Sequence, residues 1–488
     1  MTTSKTKQTE KTLDKGVIVA ICALGILIVI LVAYFIESAS SKSLISGYVA
    51  ASFILNGALA VICFLKSVAE APFSLSQIHW AFYLTMFVVA PLSQYLNGYY
   101  PWDFVIPDSM YIATNVLLFL WGTLFEFVYH LNGVAKSHNS GDEKLSFQYY
   151  VNKLPIITSA NCKRALAVSV LAILATIALI GLNGMFSRTE FNAASLEKTS
   201  GLILNAFIRP IPIFACLIVL LHSKQDGKLH LLPAVMILLA LLAVFPPSVA
   251  RNMVAGLYGG LLLITFGQFL FNKNGFFPIM FLAAFLIVFP GINGFRVIDF
   301  SFDALIASFG NVIAGFSTGF LAGDYDAYSI VARSLMYIQT YGSTAGFQLL
   351  GALLFFIPRS LWPNKPEGSG HLVCEAQGQL YLNISAPLPA EALVNFGLLG
   401  LLLFAIITAL ICKRIDRWFA HSSSLMTLFY PTLLFMFFFI MRGDLLSSYA
   451  YTVGELSSFA FTAFISGGFK RSTAELKCLD MKNNEPLY

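Results

Sequence analysis

Apolar runs of near membrane-crossing length recur along the chain, divided by short polar breaks, and a helix needs about 20 such residues to cross the hydrocarbon layer. Twelve runs approach that length: Gly16 to Ile36, Leu44 to Leu65, Gln77 to Leu96, Pro107 to Leu131, Ala165 to Leu182 and Gly201 to Leu221, then Leu229 to Phe245, Asn252 to Phe271, Phe276 to Pro290, Ala392 to Cys412, Ser424 to Met441 and Gly454 to Phe469. The first is too long for a signal-peptide core and no small-residue cleavage site follows, so it reads as a retained helix. The rhythm breaks once, between Gly323 and Gly400, where the chain turns polar and proline-rich. Phe347 to Phe356 is apolar but too short to span, and reads as an interfacial or re-entrant piece.

The pattern predicts an all-α, polytopic integral membrane protein of about twelve transmembrane helices. It divides into a cytoplasmic tail (1–15), a helical bundle (16–291), a large periplasmic loop (292–391) between the ninth span and the span starting near residue 392, carboxyl-terminal spans (392–469) and a second cytoplasmic tail (470–488). Composition agrees, at 57% hydrophobic and 11% charged, far from the balance of soluble domains. With both termini inside, the cytoplasmic loops and tails hold 20 of the 30 Lys and Arg residues, as the positive-inside rule expects. The seven cysteines are scattered without a CxxC pair, and no P-loop, zincin motif or nucleophile elbow occurs. No metal, cofactor or nucleic-acid partner is expected.

Lysine and arginine divide unequally between the sides. The inner side holds 16 Lys and 4 Arg, the outer side 3 Lys and 7 Arg: Arg188, Arg209, Arg251, Arg296, Arg333, Arg359 and Arg442. Lysine satisfies topology as a point charge, whereas arginine's planar fork binds phosphate through paired hydrogen bonds. Arg209 lies within an apolar span beside Pro210 and Pro212, where a charge is costly and usually faces a cavity. Singly, each arginine also reads as a headgroup anchor. Together the outer arginines point to an anionic partner held near the membrane surface, in company with membrane lipid.

The polar stretch supplies the other candidate chemistry. Asp324 and Asp326 form a DxD within GDYDAY, either a metal-holding pair or aspartates bonded to their own turn. Trp362 and Lys365 lie in the stiff segment PRSLWPNKP, suited to stacking a sugar ring or to resting at the headgroup level. Glu391 begins a span after PLPA, as a general base or a helix-dipole partner. His371 sits in a glycine-flanked loop, suited to proton transfer but unremarkable as a lone loop histidine. Arg442 and Asp444, in MRGD, are expected to pair with each other.

At this point the motifs APLSQYLNGYYPW (Ala90 to Trp102), GDYDAY, GFQLLGALLFFIPRSLWPNKPEGSG (Gly346 to Gly370), PLPAEALVNFGLLG (Pro387 to Gly400) and MRGDLL resemble the Wzy-type O-antigen polymerases, the oligosaccharide repeat-unit polymerases of bacterial inner membranes. HLVCEAQG (His371 to Gly378) departs from the pattern. The resemblance implies a metal-independent membrane glycosyltransferase of the GT-C-like kind. It would move a growing glycan from undecaprenyl pyrophosphate onto the next lipid-linked repeat unit at the periplasmic face. A chain-length-determining co-polymerase is a family expectation. On this reading Arg251, Arg296, Arg359 and Arg442 hold the pyrophosphate, with Arg209 and Arg333 as further candidates. Glu391 serves as base, with Asp324 or Asp326 next, and Trp362 and Lys365 meet the glycan.

Two rival readings stand beside it. An O-antigen ligase shares the donor and the outer arginines but delivers to lipid A core. A flippase or transporter for lipid-linked oligosaccharide calls for internal repeats with broken helices at matching positions, and no repeat is evident.

Overall fold

The helices are apolar on their outward faces as well as their inward ones, as lipid surroundings allow. Ile54 and Ile62, Leu171 and Leu179, and Leu399 and Ile411 all stand on outward faces of long helices. This computed structural model describes residues 46–131, 147–188, 191, 198–227, 231–272, 275–288, 301–314, 316–321 and 323–467. The expected first span, both tails and Arg296 lie outside the described residues.

Every regular element among them is helical. The chain forms α1 (Gly47–Glu70), α2 (Leu75–Asn97), α3 (Asp108–His130), α4 (Ser159–Phe186) and α5 (Ser200–Asp226). It continues through α6 (Leu232–Ala243), α7 (251–272), α8 (Phe276–Val288), α9 (Phe302–Ala314), α10 (Ala327–Tyr341), α11 (Phe347–Leu353) and α12 (Ser369–Ala376). It ends in α13 (Leu388–His421), α14 (Leu425–Arg442) and α15 (Leu445–Ile465). Seven of these, α1 to α5, α13 and α14, are long and apolar enough to cross a membrane. The chain is an all-helical, multi-span membrane protein. The stretches Leu232–Ser248, Phe276–Val288 and Phe302–Val312 form shorter apolar helices, and α7 is interrupted at Phe266. α15 begins well before the expected Gly454, because Asp444 caps its amino terminus by accepting the Leu446 N–H at 2.9 Å.

α2, α5 and α14 form the interior, with α2 almost wholly enclosed. α3 packs on α13, α5 on α4 and α6, α7 on α14, and α1 on α3. Four helices contain π-helical stretches, Tyr83–Val89, Leu204–Ile208, Val254–Tyr258 and Ala284–Val288, a wider winding that recurs at functional sites. Leu204–Ile208 runs into Pro210 and Pro212, which cannot donate to the ladder and so loosen it.

The polar stretch after Gly323 is organised around α10, which enters the bundle. Residues Ala327 to Leu335 are all buried, and the Tyr328 ring lies 5.6 Å from Tyr111 and 5.7 Å from Phe53. Its hydroxyl donates to the Tyr111 carbonyl at 3.0 Å. α13 is broken at Gly397, where φ is 64° and ψ is −150°, a conformation essentially confined to glycine. The carbonyls of Val394 and Asn395, just before the break, accept from Thr344 N–H at 2.8 Å and Gly346 N–H at 3.0 Å. The turn after α10 is thereby stitched to α13.

Candidate active site

Five distant segments meet at the GDYDAY turn. Gln94, on the last turn of α2, donates through its amide to the carbonyls of Phe320 at 2.9 Å and Tyr325 at 3.0 Å. That grip presents Asp324 and Asp326 to different partners. Arg251, at the start of α7, donates both arms of its fork to Asp324, at 3.0 and 2.8 Å. Arg442, the last residue of α14, donates Nε to the Asp324 carbonyl at 3.0 Å and stands 3.4 Å from the Asp326 carboxylate. Asp326 also accepts from Trp102 Nε1 at 2.9 Å and Ser385 Oγ at 2.7 Å.

Trp102 is held by a strained turn. Trp102 and Asp103 both adopt left-handed φ, 60° and 55°, which non-glycine residues seldom do in succession. Gly323 makes room, because a Cβ there would approach the indole to 2.8 Å. The indole stacks on Tyr381 with centroids 4.8 Å apart.

A second node adjoins the first through the Arg442–Asp444 turn. Glu391 accepts Ser369 Oγ at 2.5 Å, Leu445 N–H at 2.8 Å and Asn395 Nδ2 at 3.4 Å. Asp444 accepts Gly370 N–H at 3.3 Å as well as capping α15. The expected pair between Arg442 and Asp444 does not form. Arg442 turns to the GDYDAY aspartates, because its fork reaches two acceptors there while Asp444 is occupied by backbone N–H groups.

Access separates the carboxylates. Asp326 and Glu391 are buried at 1% and 2% exposure, whereas the Asp324 side chain is 33% exposed beside Arg251 at 19%. Burial pushes the Asp326 carboxyl up from its ordinary range, against the opposing pull of Arg442, Ser385 and Trp102. Burial likewise pushes Asp444 up to about 6, against the backbone donors that favour its charge. Among the described residues no group of three or more His, Cys, Asp or Glu side chains is placed to hold a metal ion.

The remaining sequence candidates stand apart. Arg209 is buried and donates to the carbonyls of Ala243 (3.0 Å) and Met185 (3.4 Å), to Ser248 Oγ (3.1 Å) and to Asn205 Oδ1 (3.3 Å). Ala243 ends α6 and Met185 is next to last in α4, so Arg209 caps two helix ends whose carbonyls lack partners in their own helices. Arg333, fully buried on α10, donates Nε to Gln377 at 2.8 Å with its guanidinium 4.4 Å from the Phe104 ring. Arg359 is spent on Glu367 at 2.8 Å and on the carbonyls of Lys365 and Pro366. Lys365 donates to the carbonyls of Phe355 and Ile357. Trp362 faces Phe347 of α11, and His371 lies 3.7 Å from Glu375 within α12. The Arg359 and Lys365 contacts fold the PRSLWPNKP segment back on its own backbone and near neighbours.

Trp102, Ser385, Gln94 and Ser369 are the site residues that sequence reasoning passed over. Three are neutral polar side chains with no charge signal. Trp102 carried one trace, its place as the last residue of the APLSQYLNGYYPW motif.

Fold and cluster together define a multi-span helical membrane protein with a charged, partly open site built from helix ends. The chain matches no protein-family description, no curated protein and no solved structure.

Proposed function

We propose that the chain is a glycosyltransferase of the inner membrane, a repeat-unit polymerase that moves a glycan from a lipid pyrophosphate onto a second lipid-linked unit. The observation that carries this reading is the convergence of Arg251 and Arg442 with Asp324 and Asp326 at one partly exposed spot. The proposal includes twelve spans, both termini in the cytoplasm and the site at the periplasmic face.

Arg251 holds its fork in the two-oxygen geometry that a phosphate also offers. Donor pyrophosphate takes over that fork from Asp324, while Arg442 steadies the second phosphate. The acceptor hydroxyl then attacks the anomeric carbon, the bond to the pyrophosphate oxygen breaks, and the arginines stabilise the departing charge. Asp324, the exposed carboxylate of the three candidates, accepts the hydroxyl proton. Asp326 holds Arg442, Trp102 and Ser385 in place. Glu391, enclosed by three neutral donors, fits a clip between α12, α13 and α15 better than a base.

The test is a deletion strain complemented with wild type, Arg251→Lys or Asp324→Asn at matched membrane levels, its surface polysaccharide resolved as a ladder. A single-repeat band in the deletion and in both variants is expected. Core without any repeat in the deletion would replace this reading with the ligase or the flippase. Full ladders from both variants would remove this cluster from the reaction.

A further inference from the structure

α15 carries a feature that glycosyl transfer does not use. Ser448, Thr452, Glu455, Ser458, Thr462 and Ser466 recur at three- and four-residue spacing, so they share one helix face, and all of them are buried. Thr452 and Thr462 bond back to the carbonyls of Ser448 and Ser458, at 2.8 and 2.7 Å. The hydroxyls of Ser448, Ser458 and Ser466 are buried with no hydrogen-bond partner. Small hydroxyl residues serve helix packing in lipid. A carboxyl does not, and Glu455 is fully buried with neither oxygen hydrogen-bonded.

The surroundings of Glu455 are specific. Gly256, in the π-helical stretch of α7, lies so close that a Cβ there would stand 2.8 Å from Met436 Sδ and 3.4 Å from Glu455 Oε2. Gly454 packs on Ala206 of the π-helical stretch in α5, which sets the carboxyl between two loosened helices. The ionisable groups nearby are Tyr451, one turn earlier on α15, with Arg188 and Arg209 acting on it, and Tyr258 and Cys216 beyond. None of them pairs with Glu455. An isolated ionised carboxylate is costly in such a place, and a neutral acid is not.

We propose that Glu455 is a proton-binding site inside the bundle, set between the loosened turns of α5 and α7. A proton from the medium binds the Glu455 carboxylate, and it returns to the medium when the carboxyl ionises. This inference stands whether or not the chain is a polymerase.

Dicyclohexylcarbodiimide, which adds to protonated carboxyls in apolar surroundings, tests it on the full-length protein in membrane vesicles. The adduct is located by peptide mass spectrometry across a series of pH values, with a second carboxyl in the same vesicles as reagent control. The expected result is an adduct on Glu455 that declines as the medium is made alkaline. A control that labels while Glu455 stays unmodified at every pH would overturn the site. Labelling that ignores pH would overturn exchange with the medium. The wild-type measurement needs no variant to fold.

Discussion

Arg209 and Arg251 look alike in sequence, since each is an arginine in or beside an apolar run, and in the fold each adjoins a π-helical stretch, yet their surroundings are opposite. Arg209 is enclosed and satisfied by neutral acceptors from α4, α6 and the Ser248 turn. Arg251 is part open and bound to a part-open carboxylate. A guanidinium with only neutral, buried acceptors cannot exchange them for a ligand without breaking helix ends. One paired with an exposed carboxylate can exchange it for a phosphate at little cost. An arginine against the topological gradient is therefore a candidate for function only once its partners are known.

The comparison is easiest to break at Arg209. Arg209→Met leaves the carbonyls of Ala243 and Met185 without donors, and should cost on the order of 4 kcal/mol of stability. Thermal unfolding in detergent reads it, and a melt like that of wild type would make Arg209 available for binding. Glu391→Gln comes next. It keeps an acceptor for Ser369 or Leu445 but not for both, and should cost about 2 kcal/mol with activity falling in step with folded protein. Loss of activity at undiminished stability would return Glu391 to the chemistry. Arg251→Lys should change stability by less than about 1 kcal/mol, as expected for a part-exposed pair, while abolishing the ladder.

The smallest effect is a slope. Asp444 titrates at about 6 in the folded chain against an ordinary 3.8, so between those values the folded state binds more protons than the unfolded one. Stability then rises as pH falls through that window, and Asp326, also raised by burial, adds in the same direction. Asp444→Asn keeps a good cap and should flatten the slope. An unaltered slope would assign it to the other buried carboxyls, Asp326 among them.

The long runs made the spans legible, because length and apolarity are what lipid selects. Seven expected spans, from Leu44 to Leu65 through Ser424 to Met441, fall on the seven crossing-length helices or within a turn or two of their ends. π-helical stretches left no trace, since they alter winding without altering composition. α10 was read as outer loop because it lies in a long, polar, proline-rich stretch, whereas Gln377 and Phe104 supply Arg333 with partners that only tertiary structure brings. Asp324 and Arg251 were legible as charged groups, but their pairing across more than seventy residues was not. Trp362 drew attention as the conspicuous aromatic, while the indole touching the cluster is Trp102.

The break at Gly397 divides α13 into two rods that are not obliged to move as one. The amides of Thr344 and Gly346, bonded to carbonyls just ahead of it, tie the turn after α10 to the upper rod. Their hydrogen-exchange rates therefore report movement of that rod away from the turn. Exchange there that outpaces the flanking turns of α10 and α13 would mark the upper rod, which carries Glu391, as a lever able to swing while the lower rod stays seated in the bundle.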